Sequence, residues 1–157
     1  MKRIWPVLAV LLLTACGIQP SGVTGGGEAP TGVTRGVTLY FIDAHGDLTP
    51  RLRRTDHLGT IPEAMELLLW GPGESSLRTE IAPVTPKRVV VTSTAGVILL
   101  RVPFTAQDVT PLGIDQIVCT ALAVHVQGGG PRGMKVRIGF TQDTPESGKQ
   151  RTCPLIK

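Results

Sequence analysis

Aromatic residues are scarce in this chain: two Trp, one Tyr and three Phe in 157 residues. No cluster interleaves them with basic residues, so nothing in the sequence points to a nucleic-acid surface. Cysteine and histidine are equally thin, at three each. Neither Cys119 nor Cys153 has a Cys or His nearby at ligand spacing, which argues against a zinc framework. Long apolar runs are missing as well. The stretch from Ile4 to Leu13 is interrupted by Pro6, and a helix needs about 20 apolar residues to cross a hydrocarbon layer. Assembled catalytic sets are also lacking. Ser75-Ser76 has no Gly-x-Ser-x-Gly context, and nothing in the chain order places His45, His57 or His125 beside it with an acid. Gly128-Gly129-Gly130-Pro131-Arg132-Gly133 has no Lys-Ser/Thr and follows a helical pattern instead of preceding one, so it reads as a connector, not a phosphate loop.

What is present begins with an export signal. Lys2 and Arg3 give a positive start, the apolar run follows, and Leu13-Thr14-Ala15-Cys16 closes it. That tetrapeptide resembles the lipobox of bacterial prolipoproteins. The resemblance implies a diacylglyceryl group on the Cys16 thiol, cleavage just before it, and retention at the outer face of the cell membrane. Two acyl chains anchor stably where one is marginal, since each buried methylene contributes about 0.8 kcal/mol. Residues 1–15 are thus expected to be a signal peptide and 16–35 a lipidated tether. Gly, Pro, Ser, Thr and Val fill that tether, and as a flexible coil it would average roughly 24 Å end to end.

Removing the signal takes away Lys2 and Arg3, leaving 14 basic against 12 acidic residues. That weak surplus carries no polybasic membrane patch. Arginine outnumbers lysine, and Gly, Pro, Val and Thr are plentiful, a usage typical of high-GC actinobacteria. The remaining 142 residues make one domain. With Cys16 lipidated, Cys119 and Cys153 are left in an oxidising compartment, where they are expected to pair as a disulfide. The alternative is two separate buried thiols.

Hydrophobic periodicity and breaker residues give the elements. Residues 37–42 read as a strand, Asp43-Ala44-His45-Gly46-Asp47 as a turn, and Leu48 to Thr55 as a second strand with Arg51, Arg53 and Arg54 on a wet face at a sheet edge. Thr60-Ile61-Pro62-Glu63 is a capping box. Behind it Ile61, Ala64, Met65, Leu68 and Leu69 share a helical face until Gly71-Pro72-Gly73. Residues 88–92 and 97–102 form a hairpin through 93–96. Thr110-Pro111 starts a second amphipathic helix that Gly128 ends, and Met134 to Phe140 is a fifth strand. The order ββαββαβ predicts an α+β fold, with two amphipathic helices packed on a mostly antiparallel sheet. Thr141 to Lys157 reads as a polar tail.

Several of these segments resemble the GerMN domain, the sporulation and spore-germination module. Leu39-Tyr40-Phe41 through Gly46-Asp47-Leu48-Thr49-Pro50 is similar to its opening. Ala64 to Pro72 is similar to its helix ending in Leu-Leu-x-Gly-Pro, and Leu77 to Pro83 to the segment that follows. Asp115-Gln116-Ile117-Val118-Cys119-Thr120-Ala121-Leu122 resembles its second-helix signature, with Cys119 where a tyrosine is common, as in an actinobacterial branch. The resemblance spans about residues 36–140, and it places a GerMN-like domain at 36–157. It implies a non-catalytic extracytoplasmic scaffold acting in a cell-envelope protein complex. Catalytic residues, metals and cofactors are not part of that implication.

Asp43, His45 and Asp47 offer ligands for a divalent ion, but such a site needs more donors in fixed geometry, and the turn explains them. Trp70 is the best single candidate for a partner contact, since tryptophan is enriched at binding hot spots; the alternative is that its ring folds back onto the core. A competing function is a small-solute-binding lipoprotein serving a transporter, a class that normally has two lobes and a cleft.

Overall fold

The computed structural model describes residues 35–156. The expected signal, Cys16 and all of the tether but Arg35 lie outside the described residues. Across these residues the fold is α+β, with six strands and two α-helices.

Strand β1 (Val37–Ile42) and strand β2 (Leu48–Arg53) form an antiparallel pair. The turn between them is built by Asp43, whose Oδ1 accepts from the backbone N–H of His45 and of Asp47, both at 2.9 Å. Gly46 takes φ +90 there, a conformation that favours glycine. The second strand was expected to reach Thr55 but stops at Arg53, whose partner Val37 is the first residue of β1. Beyond it the described residues offer β2 no further strand to pair with.

Helix α1 (Ile61–Trp70) starts as its sequence dictates. The Thr60 N–H donates to Glu63 Oε2 at 2.7 Å, while Thr60 Oγ1 accepts from the Glu63 N–H at 3.5 Å. Such caps contribute about 1 kcal/mol. Ala64, Met65 and Leu68 are buried, and Ile61 and Leu69 are half-buried. Gly71, at φ +88, ends the helix with its N–H on the Leu68 carbonyl.

Strands β3 (Val90–Thr94) and β4 (Val97–Arg101) form the expected hairpin. Ser93 and Thr94 stay in the ladder, so the loop is only Ala95-Gly96, with φ +81 at Gly96 supplying the tight turn. Helix α2 (Pro111–Gln127) is capped by Thr110 Oγ1, which accepts from the Gly113 N–H at 3.1 Å. It carries the chain back to strand β5 (Lys135–Gly139), which lies parallel to β4. A helical crossover is what makes that parallel pairing possible.

Three sequence expectations need correction. The strands divide into two sheets, one of β1-β2 and one of β3-β4-β5 with a short sixth strand on β5, because β1 gives its second edge to helix side chains instead of a strand. Helix α2 is not simply amphipathic: ten of its residues are buried, since β1, α1 and β5 all pack against it. The C-terminal segment is not merely a polar tail. It forms a 3₁₀ turn at Pro145–Gly148 and a two-residue strand β6 (Gln150–Arg151) on β5. Cys153, 3% exposed, follows directly and is bonded to Cys119 on α2.

One glycine gives a sign test of this packing. Gly113 lies in the first turn of α2, and a Cβ there would sit 2.3 Å from the Glu80 carbonyl oxygen and 2.7 Å from Val109 Cγ2. Helix propensity alone favours alanine over glycine by about 1 kcal/mol. Gly113→Ala should nevertheless destabilise, by about 2 kcal/mol, as overpacked sites do. Gly133→Ala, with open space around the new methyl group, serves as the neutral control. A raised urea midpoint for Gly113→Ala would refute the close approach.

Candidate functional site

The polar residues of helix α2 have a structural use. Gln116 and Thr120 are fully buried and one helical turn apart, so they share a face of α2. Thr120 Oγ1 accepts from the Tyr40 N–H at 3.0 Å, and Gln116 Nε2 donates to the Tyr40 carbonyl at 3.0 Å. Gln116 Oε1 accepts from the Glu80 N–H at 2.8 Å. Next along the same edge, Ile42 and Arg78 exchange backbone hydrogen bonds at 3.0 and 2.8 Å. Gln127 Nε2 reaches the Gly36 carbonyl at 3.2 Å. The outer edge of β1 is therefore satisfied by a helix and a loop, and the polar pair serves architecture.

The turn residues are similarly occupied. Asp43 holds two backbone amides, and its Oδ2 accepts from Thr49 Oγ1 at 3.3 Å. The Asp47 and His45 amides and the Thr49 hydroxyl hold its carboxyl below the usual aspartate range. Among the described residues no group of three or more His, Cys, Asp or Glu is placed to hold a metal ion. The three histidines lie apart. His45 is in the turn, His57 Nε2 is 3.1 Å from Glu63 Oε1, and the His125 ring lies where a Gly130 side chain would be. Ser75 Oγ donates to the Pro72 carbonyl and accepts from the Leu77 N–H, both at 3.3 Å, which makes it a turn residue.

Carboxylates at helix starts and turns also set a pH response. Backbone and side-chain donation from Thr60 lowers the Glu63 pKa below its ordinary 4.5. The Thr105 hydroxyl and amide lower Asp108 below 3.8, and Thr110 and Arg78 lower Glu80. Donors that favour the ionised form stabilise the fold above the ordinary carboxylate values. That stabilisation is lost as pH falls through the lower folded-state values. Burial raises Asp115, which opposes the trend by one group. The melting temperature should therefore fall as pH drops below 4.5. Glu63→Gln should flatten part of that fall; an identical acid profile in the variant would remove Glu63 from the account.

Among the exposed large apolar side chains described, Trp70 is the most exposed. It ends α1 and is 66% exposed, so its ring does not fold back onto the core. Lys87 Nζ stands 4.2 Å from its ring centroid and also donates to the Val84 carbonyl at 3.1 Å. Ammonium and ring attract through the ring quadrupole, an interaction of about 0.5–1 kcal/mol at exposed sites. Thr55, Glu63, Glu66 and Leu67 line an open groove beside the ring.

Cys119 and Cys153 are brought together, with Cα atoms 4.7 Å apart, and Cys16 lies outside the described residues. The sequence reading missed the free edge of β3 and the single sign of charge across its sheet. The signal was available: residues 81–107 contain no Asp or Glu. No protein-family model, curated protein or solved structure matches the chain.

Proposed function

We propose that this chain is an extracytoplasmic lipoprotein, held to the cell membrane by a diacylglyceryl group on Cys16. Its domain is a non-catalytic GerMN-like scaffold that contacts another envelope protein. Trp70 carries the interaction reading. A large aromatic side chain held 66% exposed at a helix end leaves apolar area in water that a partner would remove. Further support comes from Gln116 and Thr120. A family signature used to hold β1 in place fits relatives that share a frame instead of a reaction.

Anchor and contact are tested separately. Cys16→Ser should accumulate precursor with its signal attached, whereas the mature wild-type protein should carry two acyl chains at Cys16 by intact mass spectrometry. Processed, membrane-retained Cys16→Ser protein would overturn the anchor. A photo-crosslinking residue at position 70 should yield one discrete adduct in intact cells. Absence of any adduct at 70 would overturn the contact.

A further inference from the structure

The three long sheet edges are treated differently. On β1 the outer edge is covered by Gln116, Thr120, Arg78 and Gln127. In β2 it is blunted by Pro50. Tyr40 turns its N–H and C=O away from β2, so its partner Pro50 turns its own polar groups outward. Proline has no N–H to offer there.

On β3 the outer edge has no hydrogen-bonding partner among the described residues and no proline to blunt it. Gly96 O accepts from the Lys135 N–H, and the Val102 N–H donates to Gly139 O, each at 2.9 Å. Even-numbered backbone groups of β4 thus face β5, and residues 97, 99 and 101 face β3. Their partners are Thr94, Thr92 and Val90. By alternation the N–H and C=O of Val91 and Ser93 point out of the sheet edge, and no other described residue pairs with them. No proline or charge interrupts Val90–Thr94, the usual protections of such an edge.

Charge selects what fits. Residues 81–107 and 116–142 contain no acid, yet they supply β3, β4 and β5. The face opposite the core carries Arg101, Lys135 and Arg137, all exposed. Arg88 precedes β3, and none of these four forms an ion pair within the described residues. Self-pairing of two β3 edges would join two cation-only sheets, which same-sign charge opposes. Trp70 lies at the start of this edge, because Lys87 stands over its ring and α1 touches β3. Val90, 54% exposed, adds a second apolar contact.

We propose that the free edge of β3, with Trp70 beside its first residues, takes up an extended acidic segment of a partner protein as an added strand. Backbone hydrogen bonds to Val91 and Ser93 give the pairing. Acidic side chains on one face of the added strand meet Arg88 and Arg101, and Trp70 anchors its end. This deepens the interaction reading above and is independent of the lipid anchor.

The probe is a capped nonapeptide of alternating glutamate and valine, with an alternating lysine and valine peptide as control. Both are added to the full-length protein in a non-ionic detergent. Amide exchange followed by NMR should show Val91 and Ser93 protected about tenfold by the glutamate peptide alone. Ser93→Pro removes an outward N–H that the fold does not use. It should abolish that protection at Val91 while leaving the melting temperature in place, and Trp70→Ala should weaken binding about tenfold. If Ser93→Pro unfolds the chain, Arg88→Glu/Arg101→Glu replaces it and should transfer binding to the lysine peptide. Equal binding of both peptides by the wild type overturns the proposal. So does dimerisation lost in Ser93→Pro, which would make the occupant a second copy. Protection of the sheet face by anionic-lipid vesicles, with no peptide effect at β3, also overturns it. An adduct at position 70 without protection of β3 by the glutamate peptide would leave the interaction reading standing and remove this inference.

Discussion

Gln116→Leu should lower the free energy of unfolding by about 4 kcal/mol, through one buried and one half-buried polar group left without partners at roughly 1–3 kcal/mol each. Leucine is close to glutamine in volume and is a good helix former, so neither a cavity nor helix propensity accounts for the loss. What disappears is the donor to the Tyr40 carbonyl and the acceptor for the Glu80 N–H. Tyr40 is 7% exposed and its strand is closed in by α2, so water does not readily replace the missing donor. Thr120→Val is the graded comparison. It is isosteric and orphans only the Tyr40 N–H, so about half the loss is expected, near 2 kcal/mol. The check is urea unfolding of both variants, with amide exchange at Glu80. Faster exchange at Glu80 in Gln116→Leu but not in Thr120→Val would identify the broken bond. A loss below about 1 kcal/mol in Gln116→Leu would mean that the edge finds other partners.

Opening the bridge between Cys119 and Cys153 should cost about as much by another route. The bond closes a loop of sequence separation 34, worth about 4 kcal/mol of denatured-chain entropy in the loop-closure model. The double variant Cys119→Ala/Cys153→Ala measures it without leaving a thiol behind. The cysteines are 0% and 3% exposed, so a reductant reaches them only when the structure opens. Reduction of the folded protein should therefore be slow and should speed up in urea. The first consequence of the loss is local: β6 has only two ladder residues, and Cys153 is what ties its end to α2. Amides of β6 and the preceding 3₁₀ turn should exchange faster in the double variant, ahead of those in β4 and β5. Uniform weakening across both sheets would show that the bridge acts on the unfolded chain alone.

These two cases mark how far the sequence reaches. Elements whose hydrogen bonds close within about four residues were legible. Thr60 with Glu63, Thr110 with Gly113, the Asp43 turn and the stops at Gly71 and Gly128 are local devices, readable in order along the chain. The cysteine pair was legible for a different reason. Its partners were expected from the count of cysteines and from the compartment that the sequence suggested, without any geometry.

The rest depended on contacts between distant residues. Gln116 lies 76 positions from Tyr40, and Thr120 lies 80. A residue pattern records that they are polar, not that a strand edge will reach them. The same holds for α2, whose apolar stripe was visible but whose burial on several sides required three neighbours at once. It holds for β6, too short to have a pattern, and for Trp70, whose exposure depends on where α1 ends relative to β3. The sequence alone determined the two helices, the first five strands and the turns between them, and it singled out the two cysteines expected to pair. Only the tertiary structure decided which strand edges are covered and which one is left open. Local propensity selects an element's shape, whereas edge pairing is chosen among all the strands and side chains that the packed chain brings within hydrogen-bonding distance.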